Sequence, residues 1–319
     1  MNYCRILLCV ALTVGLNEIL RADDRPAQPV TASLAPRQGQ ATPKDNLNQS
    51  RTANESAQNA LEEKSAPHDC VTIAGIVLKW IRGDKEANFR RAEPMIRDAA
   101  AHGAQIVCTT ECFLDGYAIK DKSIPLEEYR QLGEEIPEGA YCRKLAALAG
   151  ELKIYLLAGM LEAHGPARYN TAVLFGPAGQ LVGKYRKQKL GHELVRNTPG
   201  DKPGVFDTPH GRVGVLICAD RTEASIVGRY RDLGADFLLC PSGGMFGPMN
   251  NDPIVQARSR ETGLPIVFVH PSEFLATTID GAVAARTLLG DRLSIPREEV
   301  GKETDQNRII YFNLARRAR

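Results

Sequence analysis

From Val71 onward, short apolar runs alternate with segments of helical periodicity, and this alternation constrains the fold more than any other feature. "VTIAGIVLKW" (71–80), "QIVCTT" (105–110), "IYLLAGML" (154–161), "GVLIC" (214–218), "DFLLCPS" (236–242) and "LPIVFVH" (264–270) read as strands. Between them, residues 84–104 place Phe89, Ala92, Ile96 and Ala99/Ala100 on one helical face, with Gly103 as the stop. Residues 139–153, 222–235 and 251–263 also read as helices. "YNTAVLFGPAGQLVGKYRK" (169–187) has two strand runs around Pro177-Ala178-Gly179, the pattern of a β-hairpin. "RIIYFNL" (308–314) reads as a closing strand. Strand–helix–strand alternation with a few adjacent strand pairs predicts an α/β layered domain over 68–319.

The first 67 residues do not follow this pattern. Arg5 precedes an apolar run, Ile6 to Leu16. The run is shorter than the ~20 residues a membrane span needs and fits the h-region of a secretory signal peptide. The expectation is therefore a signal peptide over 1–22, export to a periplasmic or extracellular compartment, and no membrane span in the mature chain. Residues 23–67 are rich in Pro, Gln, Ala, Ser, Thr and Asn and lack aromatic residues. Such a segment buries too little apolar surface to offset its ordering entropy, and it reads as a disordered linker.

Composition excludes some partners. The formal net charge of +2 among 319 residues, with no Lys/Arg stripe interleaved with aromatics, gives no reason to expect nucleic acid. Cys4 and Cys9 fall in the signal segment, leaving Cys70, Cys108, Cys112, Cys142, Cys218 and Cys240. They are scattered through a domain large enough to hold together without disulfides. Cys108 and Cys112, on what reads as one extended run, are roughly 13 Å apart at strand rise, too far to bridge.

In layered α/β sheets, functional residues gather where strands end and loops begin. Glu111 follows "QIVCTT", Lys187 follows the second hairpin strand, and Cys218 ends "GVLIC". Their chemistries complement one another. A cysteine thiolate is a strong nucleophile. A glutamate serves as general base and later as general acid. A lysine beside the sulfur favours the thiolate and offers positive charge to an oxyanion, with the Ala219 N–H as a second donor. No cofactor is needed, and no His/Cys/carboxylate spacing suggests a metal site. Taken singly, each residue also has a bland reading: a buried small residue, a solvated charge, a surface acid.

The segments around these residues resemble the carbon–nitrogen hydrolase (nitrilase) superfamily from Val71 to about Pro271. "EANF…AAAHGAQIVCTTECFLDGY" is similar to the family's helix, strand and glutamate segment, with Glu111 at the general-base position and Tyr117 closing it. "YNTAVLFGPAGQLVGKYRKQKL", opened by Tyr169 and Asn170, resembles the hairpin and lysine segment and assigns Lys187, not Lys184 or Lys189. "HELVRNTPGDKPGVFDTPHGRVGVLICAD" resembles the segment leading to the nucleophile Cys218, with Glu193 at a second family glutamate. The resemblance implies a four-layer α-β-β-α sandwich and a homodimer or higher homo-oligomer. It also implies attack of Cys218 on a C–N carbon, a thioester, and its hydrolysis by water activated by Glu111. Glu193, Ala219, Tyr117 and Asn170 are the supporting or substrate-binding candidates. True nitrilases carry tryptophan and glutamate after the cysteine; Ala219 and Asp220 stand here, so a small linear amide or N-carbamoyl substrate is expected. Two further readings remain open: an N-acyltransferase using the same thioester, and a non-catalytic binding protein with a decayed site.

Overall fold

The computed structural model describes residues 70–244 and 248–316. The signal peptide read at 1–22 and the linker read at 23–67 lie outside the described residues. Two mixed sheets form among the described residues. The first contains β1 (Cys70–Val77), β2 (Ile106–Cys108), β3 (Glu134–Glu135), β4 (Tyr155–His164), β5 (Ala167–Phe175), β6 (Leu181–Arg186) and β13 (Arg308–Ala315). Its order is β13-β1-β2-β4-β5-β6, with β3 pairing β4 off this path. The second contains β7 (Gly204–Thr208), β8 (Gly211–Val215), β9 (Phe237–Pro241), β10 (Ile266–His270), β11 (Glu273–Thr277) and β12 (Val283–Leu288), in the order β12-β11-β10-β9-β8-β7.

Helical crossovers make the central strands parallel, as such connections must. Strands β1, β2 and β4 run parallel, with α1 (Lys85–Ala101) between the first two and α2 (Leu126–Gln131) and α3 (Ala140–Leu152) before the third. Strands β8, β9 and β10 are parallel through α4 (Ala224–Asp232) and α5 (Pro248–Thr262). The Asp84 side chain caps α1 by accepting from the Ala87 N–H at 3.0 Å.

Three apolar layers hold the sheets together. Ile73, Leu157 and Leu174 of the first sheet meet Val215, Leu239, Val267 and Phe274 of the second. The outer face of the first sheet packs Ile76, Leu156 and Met160 against Phe89 and Ile96 of α1 and Leu145 and Leu148 of α3. The outer face of the second packs Leu238, Ile266 and Phe268 against Val227 and Tyr230 of α4 and Val255 of α5. The result is the four-layer α-β-β-α sandwich. The sheets approach so closely that a Cβ on Gly75 would lie 2.6 Å from the Phe274 ring.

Several expected boundaries move. Strand β1 ends at Val77; Trp80 makes only an isolated bridge to Ser294. Strand β8 ends at Val215, and Cys218 opens a 3₁₀ turn, Cys218–Thr222, so it is not the last strand residue. The extended run expected through Cys108 and Cys112 breaks after Cys108: a turn begins at Glu111, and Cys112 within it is left-handed (φ 46°). All six described cysteines are free thiols. Helix α5 starts at Pro248, ahead of the expected 251. The segment after Pro271 forms a hairpin, β11–β12, at the sheet edge.

Candidate active site

Glu111 lies just past β2, and its N–H donates at 3.3 Å to the Ser242 carbonyl just past β9 of the second sheet. Asp115 fixes this loop. Its carboxylate accepts from the Ala118 N–H at 3.1 Å and, across to β4, from the Leu161 N–H at 2.9 Å. Burial raises Asp115 to about 7, against the pull of those N–H groups. The Trp80 indole N–H donates to Thr110 Oγ1 at 2.9 Å, and its ring stacks on Tyr117 at 5.3 Å.

Lys187 is the first residue after β6, and its N–H continues the ladder to the Asn170 carbonyl at 2.8 Å. Its ammonium lies 2.6 Å from Glu111 Oε1 and 2.5 Å from Glu193 Oε1, with all three side chains buried. Glu193 stands in the 3₁₀ turn Gly191–Val195. The Tyr117 hydroxyl donates to Glu193 Oε1 at 2.9 Å. The Asn170 amide donates to both carboxylates, to Glu111 Oε1 at 2.8 Å and Glu193 Oε2 at 3.0 Å. The structure thus brings five sequence-nominated residues, Glu111, Tyr117, Asn170, Lys187 and Glu193, into one hydrogen-bonded cluster.

Cys218 joins them from the second sheet. Its left-handed backbone (φ 44°) turns the chain sharply out of the strand, a conformation that costs a non-glycine residue energy. Asp220 holds the turn in place. Its Oδ2 accepts from the Ile217 N–H at 3.0 Å and the Tyr185 hydroxyl at 2.8 Å. Its Oδ1 accepts from the N–H groups of Gln188 at 3.1 Å and Lys189 at 2.7 Å. One carboxylate therefore ties the cysteine turn to the backbone just after Lys187. Cys218 lies within electrostatic reach of Lys187 and Tyr117. Ala219, next in the turn, is half-buried, and its carbonyl accepts from Thr222 Oγ1 at 2.8 Å.

The electrostatics follow from burial and pairing. Burial raises the Glu111 carboxyl; the Lys187 ammonium opposes this, and Glu193 adds to it. For Lys187, burial disfavours charge, but Glu111, Glu193 and Cys218 outweigh it and push the ammonium well above the usual lysine range. Lys187 is therefore held as the cation of this cluster, while burial holds the Glu111 carboxyl above the usual carboxylate range. Among the described residues, Glu111 Oε2 is buried with no hydrogen-bond partner. Among the described residues no group of three or more His, Cys, Asp or Glu side chains is placed to hold a metal ion.

Sequence reasoning missed Trp80, Asp220, Arg221 and Gly243. Asp220 and Arg221 lie within the Cys218–Thr222 turn, and nothing in the sequence marks either side chain as buried. Gly243 sits where a Cβ would lie 2.0 Å from the Trp80 ring and 3.3 Å from Glu111 Oε2; only the distant segments after β1 and β2 reveal this. A separate cavity of about 500 Å³, lined by Val71, His210, Phe237, Pro265 and Leu314, lies at the opposite end of the sheets.

Comparison with known proteins agrees with this architecture. Residues 71–279 match the carbon-nitrogen hydrolase family. The chain is 33% identical over 203 residues to human omega-amidase NIT2, covering 59% of this chain and 70% of that protein. Saccharomyces cerevisiae Nit3, described as a member of branch 10 of the nitrilase superfamily, superposes with a TM-score of 0.65 at 23% identity, covering 77% of this chain and 90% of that one. A mutant amidase from Nesterenkonia sp. AN1 carries the acetamide moiety of fluoroacetamide on its active-site cysteine. It superposes with a TM-score of 0.63 at 17% identity, covering 78% of this chain and 92% of that one. These two structures share the fold. With 71–279 matched and the sandwich in place, the chain belongs to the carbon–nitrogen hydrolase family.

Proposed function

We propose that the chain hydrolyses a small amide through a Cys218 thioester, with Glu111 as general base and acid and Lys187 as oxyanion stabiliser. Glu111 takes the thiol proton, and the sulfur attacks the amide carbon. The tetrahedral oxyanion is met by the Lys187 ammonium and the Ala219 N–H. Glu111 returns the proton to the leaving nitrogen, the C–N bond breaks, and ammonia leaves a thioester. Glu111 then deprotonates water, which attacks the thioester; the acid departs and the proton returns to sulfur. Glu193, Tyr117 and Asn170 position Lys187 and Glu111.

The observation that carries this reading is Lys187 held at 2.6 and 2.5 Å by Glu111 and Glu193, with Asp220 tying the Cys218 turn to the next two residues. The similarity to omega-amidase supports an amide substrate, Ala219 and Asp220 after the cysteine favour a small linear amide over a nitrile, and N-carbamoyl compounds belong in the same test panel. Ammonia release across that panel is the test. Cys218→Ala is expected to abolish it and Glu111→Gln to lower kcat by at least ~100-fold, the scale of losing a general base. Turnover unchanged in Cys218→Ala refutes the reading, and an amine-coupled product formed in place of acid would make the chain an acyltransferase.

The same reading includes export with cleavage after Ala22, and assembly as a homodimer or higher homo-oligomer. Intact mass of the secreted chain and sedimentation of the purified protein test these separately; a retained Met1 or a monomer contradicts them.

A further inference from the structure

Arg221 is only 1% exposed, yet among the described residues no carboxylate lies within ion-pair distance of its guanidinium. Its Nη2 donates to Asn251 Oδ1 at 2.6 Å, and its Nη1 donates to Cys218 Sγ at 3.5 Å. The Asn251 amide is anchored in turn, donating to Glu273 Oε2 at 3.0 Å. The guanidinium carbon sits 5.3 Å from the centre of the Phe268 ring. A buried charge without a counter-charge is strongly disfavoured, so buried cations are normally paired. Among the described residues, the group hydrogen-bonded to Arg221 that can become an anion is the Cys218 sulfur.

Building on the hydrolase reading above, we propose that Arg221 is the counter-ion of the Cys218 thiolate, a catalytic cation distinct from Lys187. Lys187 divides one positive charge between Glu111 and Glu193. With both carboxylates ionised that cluster is net negative and repels a thiolate. When the proton moves from sulfur to Glu111, the S–H bond breaks, its electron pair stays on sulfur, and an O–H bond forms. Negative charge thereby leaves the Lys187 cluster and appears beside Arg221, while Lys187 is left with Glu193 and turns to the substrate oxyanion. Net charge is unchanged; Arg221 sets where it rests.

The titratable groups that sense charge on this sulfur are Arg221 on its own turn, Lys187 after β6, Tyr117 on the loop after β2, and Cys240 in β9. Glu111 faces them across the site. Asp220 turns its carboxylate to backbone N–H groups and the Tyr185 hydroxyl. Among them Arg221 is the cation in hydrogen-bond contact with the sulfur.

The test is the rate of Cys218 alkylation by iodoacetamide, read by mass spectrometry of its peptide from the full chain across neutral and alkaline pH. Arg221→Met is expected to slow alkylation at neutral pH by about 10-fold, through a smaller thiolate fraction, and to move the profile to higher pH. Arg221→Lys should recover part of the rate. Asn251→Asp keeps the arginine buried but gives it a rival carboxylate, and should slow alkylation as well. A profile unmoved in Arg221→Met, or in Asn251→Asp if the first variant does not fold, overturns the proposal. So does a change confined to KM with alkylation untouched, which would assign Arg221 to substrate binding. Alkylation needs no substrate, so the two readings separate: a chain that hydrolyses no amide but whose profile moves with Arg221 loses the amidase assignment and keeps this one.

Discussion

At the scale of single residues, Asp220 shows how one carboxylate sets the geometry of another residue's chemistry. It touches neither Glu111 nor the Lys187 ammonium, but its oxygens join the backbone on both sides of the reacting centre. Asp220→Asn removes charge from hydrogen bonds that are roughly twice as strong as neutral ones. It is expected to lower kcat by more than about 10-fold while KM moves less, because the nucleophile is displaced relative to Lys187; an unchanged kcat contradicts that role. Glu111, Lys187 and Cys218 could be nominated from the sequence as reactive types where strand-like runs end, with the family resemblance choosing Lys187 over Lys184 and Lys189. Arg221 could not be, because nothing in the chain says that a charged residue three positions past the cysteine turns inward.

At the scale of elements, the loop after β2 carries both Glu111 and Tyr117, and Asp115 pins it to β4. Asp115 titrates near 7 in the fold against an ordinary value of 3.8. The folded state therefore binds this proton more tightly than the unfolded chain. Its stabilising contribution is fully present below the ordinary value and is lost as pH rises toward about 7. Comparing Tm against pH for the wild type and Asp115→Asn should show a falling component between about pH 4 and pH 7 that the variant lacks; identical slopes would refute it. Gly243, after β9, packs against Trp80, which in turn stacks on Tyr117 of this loop. Gly243→Ala drives a methyl into the Trp80 ring, and is expected to cost roughly 1–3 kcal/mol of stability by overpacking and to reduce activity sharply through Glu111. Unchanged Tm and activity would show that Trp80 yields. The core strands were readable because parallel strands covered on both faces are continuous apolar runs. The edge strands β7 and β12 were not, since β12 is mostly exposed and carries no such run.

At the scale of the whole molecule, the α-β-β-α stacking makes the site possible. Glu111 and Lys187 leave the first sheet, Cys218 leaves the second, and only back-to-back packing of Leu157 and Leu174 on Val215 and Leu239 brings those strand ends together. The alternation of runs and helices predicted an α/β layered domain; which sheet each strand joins depends on long-range pairing such as β1 with β13, closing 70–77 on 308–315, which no local pattern encodes. The measurement that tests the convergence most directly is the mass of the Cys218 peptide after acid quench during turnover of a slow amide. The acyl mass of that amide is expected on Cys218. No acyl mass on any peptide of a chain that releases ammonia, or acyl mass on another residue, would contradict the account.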